Sequence, residues 1–224
     1  MSYDELLQRL GADIAPELLE LALTHSSYAY ENNCDNNERL EFLGDSVLGY
    51  LVAAHVFNNH DDLKEGELTK LKNAVVSAQA LATAANRIGL GEFLRLGKGE
   101  NQTGGSQKVN VLADAFEAIL GAAFLTSGIP AAESIVSKHI IPLLDNPDSI
   151  RESADPKTNL IEKAAQLGLS EVRYEMSGEG PDHERIYTAI CFSGSQELST
   201  GMGTTKRGAE TAAAIAALRE LSKN

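Results

Sequence analysis

An all-α N-terminal domain followed by a small α+β domain of order α-β-β-β-α is the fold this sequence predicts, on three observations. Residues 1 to 145 repeat apolar side chains at helical spacing, with little β-branched alternation and with short Gly or Asn/Asp breaks. The stretch from Asp145 to Pro156, DNPDSIRESADP, is polar, holds proline and serine and has no periodicity, so it reads as an interdomain linker. Beyond it, three short strand-like runs stand between two helical ones.

In chain order, the apolar spacing predicts helices near 15–24, 38–57, 66–88, 109–126 and 130–144. In the last third, a helix is expected from Lys157 to Leu167 and strands near 172–176, 185–192 and 197–202. Gly180-Pro181-Asp182 marks the first turn between strands and Gly194-Ser195 the second. An alanine-rich helix closes the chain from about Arg207 to Leu221.

The chain has 224 residues and 43% apolar side chains, enough for a packed core in one large domain or two modest ones. No basic run precedes an apolar stretch at the N-terminus, and no uninterrupted apolar segment approaches the roughly 20 residues that span a bilayer. A soluble, cytoplasmic protein with no membrane partner is expected. Cys34 and Cys191 stand far apart without metal-type spacing, which favours a reducing compartment over a disulfide framework or a zinc site. The net charge of −13 argues at first against a nucleic-acid binder. Its distribution matters more. Residues 1–150 hold 10 Lys+Arg and 21 Asp+Glu, net −11, whereas residues 151–224 hold 9 and 11, net −2. Any basic patch in the last third is therefore local, and part of the acidity of the first two thirds is available to hold cations.

The run Asn37-Glu38-Arg39-Leu40-Glu41-Phe42-Leu43-Gly44-Asp45-Ser46 is the most informative segment. At helical spacing Glu38, Glu41 and Asp45 share one face, while Leu40, Leu43, Val47 and Leu51 form a stripe on the opposite side. An acidic face turned to water is the ordinary explanation. Against it, acids at i and i+3 repel with nothing basic on that face, and Phe42, Leu48 and Val52 flank them with apolar surface. Such a face suits cations and a packing partner. In the second informative segment, Val109 to Thr126, Asp114 and Glu117 are the only charged residues. Burying an ionised carboxylate unpaired costs several kcal/mol, so these two must protonate, pair with a base from another helix, or bind a metal.

An oxygen-rich set without histidine is the donor set that Mg²⁺ prefers. A carboxylate-bridged di-iron bundle would require Glu-x-x-His pairs, and no glutamate of this domain has a histidine three residues later. Mg²⁺ held by several carboxylates points to phosphoryl chemistry.

The run NERLEFLGDSVLGY closely resembles the signature of the bacterial ribonuclease III nuclease domain. Leu23-Thr24-His25-Ser26, Glu65-Gly66 and Leu112-Ala113-Asp114-Ala115-Phe116-Glu117-Ala118 agree with that family in order and spacing. The last third resembles a double-stranded RNA-binding domain through Asp155-Pro156-Lys157-Thr158, Gly180-Pro181-Asp182-His183 and Thr205-Lys206-Arg207-Gly208-Ala209-Glu210. The resemblance implies a nuclease domain at 1–146, a linker at 147–154 and an RNA-binding domain at 155–224. It implies Glu41, Asp45, Asp114 and Glu117 as metal ligands, with Asp45 and Glu117 most sensitive to mutation, and Glu38 and Glu65 engaging the RNA and its cleavage site. The cofactor expected is Mg²⁺, with Mn²⁺ as a substitute. Thr158, Glu162 and His183 are expected at 2′-hydroxyls in two successive minor grooves. Lys206 and Arg207, at a helix N-terminus, are placed to meet phosphates.

The resemblance also implies a homodimer whose signature helices meet, with each site cutting one strand to leave 5′-phosphate and 3′-hydroxyl ends with short 3′ overhangs. Ribosomal precursors and structured messages are the expected RNAs. Three positions depart from the family: Ile161 where glutamine is usual, Ser26 after Thr24-His25, and Ser106 after Gly104-Gly105, the last two where arginine is common. With an RNA-binding module less basic than most, weaker duplex binding is expected. Two other functions compete. An RNA-binding adaptor with a dead nuclease fold should lack a metal ligand, and none is missing. A nucleotide-processing metal hydrolase would not need the C-terminal module.

Overall fold

The computed structural model describes residues 3–145, 156–181 and 185–221, in two compact units, Met1–Ile150 and Arg151–Asn224. The predicted linker at 147–154 lies outside the described residues.

The first unit is helical throughout: α1 (Tyr3–Leu10), α2 (Pro16–Ala22), α3 (Ser26–Asn32), α4 (Glu38–Asn59), α5 (Glu65–Val75), α6 (Ala78–Arg87), α7 (Lys98–Gln102), α8 (Val109–Ser127) and α9 (Ile129–His139). Single 3₁₀ turns lie at Leu90–Glu92, Gly105–Gln107 and Ile141–Asp145. Helix α8 is the centre of this unit, packed against α2, α4, α6 and α9. Its Leu112, Phe116, Ile119 and Leu120 are fully buried beside Leu48 and Val52 of α4. By length and composition, α4 and α8 are apolar enough to cross a membrane, and the apolar side chains that make them so belong largely to this core.

The contact between α4 and α8 is close because it is made by glycines. A Cβ on Gly44 would lie 1.8 Å from the carbonyl oxygen of Glu117, and one on Gly121 would lie 2.3 Å from that of Leu40. Two backbones can meet at this distance only where neither carries a side chain.

Two predicted helices are each divided. The run expected as one helix over 66–88 is α5 and α6, separated at Val76 and Ser77. Ser77 is extended, its Oγ accepts the Ala80 N–H at 3.3 Å and donates to the Ala74 carbonyl at 2.9 Å, so an N-cap ends one helix and starts the next. The run 130–144 ends as α9 at His139, because Pro142 cannot donate within a continued helix, and only a 3₁₀ turn follows. Helices α1, α3 and α7 were not expected; α3 and α7, at 7 and 5 residues, are too short to show a clear period, whereas α1 does repeat Tyr3, Leu6, Leu7 and Leu10 at helical spacing.

The second unit is α10 (Pro156–Gln166), β1 (Val172–Glu179), β2 (Ile186–Ser193), β3 (Gln196–Gly203) and α11 (Lys206–Leu221), the expected α-β-β-β-α order. The sheet is antiparallel in the order β1-β2-β3, with Tyr174 opposite Cys191 and Ala189 opposite Gly201. Inward-facing Val172, Tyr174 and Met176 pack against a core of Leu160, Ala189, Cys191 and the alanines of α11. Gly201 and Gly203 let α11 lie directly on β3: a Cβ on Gly201 would sit 2.1 Å from the Ala213 nitrogen. Both cysteines are free, Cys34 exposed and Cys191 buried.

Candidate active site

Helix α4 begins where Asn36 Oδ1 accepts the Glu38 N–H at 3.2 Å, satisfying one of the helix's unpaired donors. Its apolar stripe of Leu40, Val47, Leu48, Leu51 and Val52 faces the core. The other side therefore carries the acids, Glu38 and Asp45 exposed and Glu41 half-buried. On α8, Asp114 and Glu117 are half-buried one turn apart. The glycine contact brings the two acidic segments together. Ligand oxygens of Glu41, Asp114 and Glu117 lie within 4.8 Å of one another.

Among the described residues none of these three carboxylates has a basic partner. Lys108, the base nearest to Asp114 in sequence, is engaged elsewhere, its Nζ 2.8 Å from Glu100. Burial, then the charges of Asp45, Glu41 and Asp114, pushes the Glu117 carboxyl up to about 8. Burial also raises Glu41, with Asp114, Glu38 and Asp45 adding to the effect, and raises Asp114 against an opposing pull from His25. Three carboxyl groups converge with only oxygen donors and, among the described residues, no ion-pair partner, which fits a hard divalent cation and fits an internal ion pair poorly.

The six acids singled out from the sequence divide in space. Glu41, Asp114 and Glu117 form the cluster. Asp45 acts on both Glu41 and Glu117 through its charge but stands outside that tight group, and Glu38 acts on Glu41. Glu65 opens α5 as an exposed residue and is not among the groups that shift the cluster.

His25 was legible only as part of the Leu23-Thr24-His25-Ser26 segment, with no role attached. In the structure it caps α3: its Nδ1 accepts the Ser27 N–H at 3.2 Å and lies 2.8 Å from Ser27 Oγ. An Nδ1 that accepts leaves the ring proton on Nε2, so the imidazole keeps a donor in the neighbourhood of Asp114 and Glu100.

In the second unit, Thr158 and Glu162 are exposed on α10, one turn apart, with Ile161 beside them at 55% exposure. Lys206 and Arg207 are exposed in the first turn of α11, where Thr205 Oγ1 accepts the Gly208 N–H at 3.0 Å. Lys157 joins Glu210 at 2.6 Å and ties the two helices together, which fixes their exposed faces relative to one another. His183 lies outside the described residues.

A third feature is apolar. Phe42, Tyr50 and Phe57 on α4 are 79%, 62% and 69% exposed. At spacings of eight and seven they lie along one side of the helix, where single-chain packing gives them no cover.

Known proteins resemble both units. A family model described as Ribonuclease-III-like matches residues 15–144, and one described as Double-stranded RNA binding motif matches residues 156–221. A protein named Ribonuclease 3 from Leifsonia xyli subsp. xyli is 49% identical over 220 residues, spanning 98% of this chain and 93% of the relative. Its namesake in Mycobacterium tuberculosis is 44% identical over 224 residues, with the same coverage of 98% and 93%. Among solved structures, the nuclease domain of ribonuclease III from Campylobacter jejuni, described as flexible in a region involved in dimer formation, superposes with a TM-score of 0.59 at 38% identity. That match covers 62% of this chain and 96% of the Campylobacter one.

Proposed function

The chain belongs to the ribonuclease III family, and on that premise we propose that it is an endoribonuclease that hydrolyses double-stranded RNA with a divalent metal held by its first unit. The observation that carries this reading is the convergence of Glu41, Asp114 and Glu117 without a basic partner among the described residues.

Glu41, Asp45, Asp114 and Glu117 are the ligands in this reading, and Mg²⁺ is the ion, with Mn²⁺ able to replace it. When bound, the ion supplies an activated water and charge stabilisation at the phosphate. The protein's own part is to hold acids from two helices on one centre and to keep them free of bases that would neutralise them. Glu38 and Glu65, on the exposed approach, engage the RNA around the cut. The products have 5′-phosphate and 3′-hydroxyl ends with short 3′ overhangs.

Residues 155–224 form the duplex-binding domain, joined through 147–154 to the nuclease domain at 1–146. Thr158, Glu162 and His183 contact 2′-hydroxyls, and Lys206 and Arg207 meet phosphates at the start of α11. The uncovered Phe42, Tyr50 and Phe57 side of α4 is the surface through which two copies pair. Acting in the cytoplasm without a membrane partner, the dimer processes ribosomal precursors and structured messages.

Duplex RNA incubated with Mg²⁺ or with EDTA tests the central claim. Cleavage that needs the metal supports it; cleavage in EDTA, or none under either condition, would overturn it.

A further inference from the structure

Thr24, Asn37 and Ser193 are the buried polar residues among those described, and two of them meet at the start of α4. Asn37 occupies the N-cap position, where an asparagine ordinarily accepts a backbone N–H of its own helix. Here it makes no such bond. Asn36 takes over that task through the Glu38 N–H. Freed from capping, Asn37 turns its side chain away from α4, and its Nδ2 donates to the Ala22 carbonyl at 3.2 Å while its backbone N–H donates to the Thr24 carbonyl at 3.0 Å.

The segment it grips is itself hydrogen-bonded to its neighbours. Thr24 Oγ1 donates to the Glu20 carbonyl at 2.7 Å and accepts Arg95 Nη1 at 3.2 Å. The backbones are joined as well, His25 N–H to the Arg95 carbonyl at 3.1 Å and Arg95 N–H to the Leu23 carbonyl at 2.9 Å. On its other side, Asn37 presents its own carbonyl to the Leu40 and Glu41 N–H groups, each at 2.9 Å. A continuous chain of hydrogen bonds therefore runs from residues 22–24 through Asn37 to the backbone of Glu41.

Two close approaches, Gly121 on Leu40 and Gly44 on Glu117, fix where α4 crosses α8. Asn37 lies seven residues before Gly44, about 10 Å along the axis. It holds the N-terminal end of α4 beyond that crossing, and Glu41 sits between Asn37 and Gly44. From this geometry we propose that Asn37 is a positioning residue, whose buried amide sets the orientation of α4 so that Glu41 meets Asp114 and Glu117. The inference rests on the reading of those acids as a metal site, and goes beyond it by assigning the metal affinity in part to a residue that touches no metal.

The test compares the full-length wild type with Asn37→Ala. Mn²⁺ binding is followed by loss of the free-ion paramagnetic resonance signal, the Mg²⁺ dependence of duplex cleavage is measured, and RNA affinity is measured in EDTA. The variant is expected to bind Mn²⁺ roughly tenfold more weakly, the lower end of what loss of an outer partner does to a metal site. It should need correspondingly more Mg²⁺ for half-maximal cleavage, recover rate at high Mg²⁺, and hold duplex RNA within twofold of wild type. Unchanged Mn²⁺ affinity, or a lower rate that no amount of Mg²⁺ restores, would overturn the proposal. Asn37→Ser, which keeps a small polar group but cannot reach Ala22, takes the place of Asn37→Ala if the latter loses its helical circular dichroism. A wild type that itself fails to bind Mn²⁺ sinks the metal-site reading, and this inference with it, and is told apart from failure of the Asn37 role alone.

Discussion

Glu117 carries its proton up to about pH 8 when no metal is present, because burial and three neighbouring carboxylates disfavour its charge. The sign of the consequence follows from linkage. The folded carboxyl holds a proton that the unfolded chain has already released, so metal-free stability falls as pH climbs from the ordinary carboxylate value of 4.5 towards about 8. A cation must displace that proton, so Mg²⁺ affinity should rise across the same window. Calorimetric titration at pH 6, 7 and 8 checks this, and a flat profile would contradict it. Glu117→Gln keeps the shape of the side chain and removes the charge. It should lower cleavage by more than about 100-fold, the upper end of what loss of an outer-shell partner does to a metal site, while leaving duplex binding intact. Simultaneous loss of cleavage and binding would mean that Glu117 serves the fold instead.

At the scale of elements, the site is a property of the crossing between α4 and α8. Neither helix holds the cluster alone, since Glu41 belongs to one and Asp114 and Glu117 to the other. Gly44→Ala would drive a Cβ into the Glu117 carbonyl, now 1.8 Å from that point, and the helices must separate to accept it. The expected cost is about 1–3 kcal/mol of stability, as for other overpacked contacts, together with loss of metal affinity because the ligand oxygens move apart. Ser77→Ala provides the contrast. It removes the cap between α5 and α6, should cost about 1 kcal/mol, and should leave metal affinity unchanged. Thermal melting paired with Mn²⁺ titration separates the two, and equal losses of affinity would argue that the crossing has no special role.

For the whole molecule, function divides between a unit that cuts and a unit that holds duplex RNA. Replacing both Lys206 and Arg207 by Ala should weaken duplex binding at low salt and reduce the slope of log affinity against log salt by about 2, while the Mn²⁺ affinity of the first unit stays the same. An unchanged slope would place the phosphate contacts elsewhere. The exposed side of α4 makes a separate demand. Phe42→Asp should shift sedimentation from dimer to monomer, because a charge in the middle of an apolar interface is left without a partner. A monomeric wild type would remove the reason for that uncovered surface.

Residue order alone determined the two-part architecture and the α-β-β-β-α order and nominated the acids, since each depends on local periodicity or on motifs that survive in one dimension. Asp114 and Glu117 stood out because an apolar helix has no ordinary use for two isolated charges. Short α3 and α7 left no period to read, and the break at Ser77 was hidden because a serine inside a helical run looks the same whether or not it caps. Only the tertiary structure decided which acids converge and which stand apart, that Gly44 and Gly121 set their distance, and that Asn37 braces the helix instead of capping it. Those are contacts between residues far apart along the chain, where position depends on how backbones pack and hydrogen bonds close across the core.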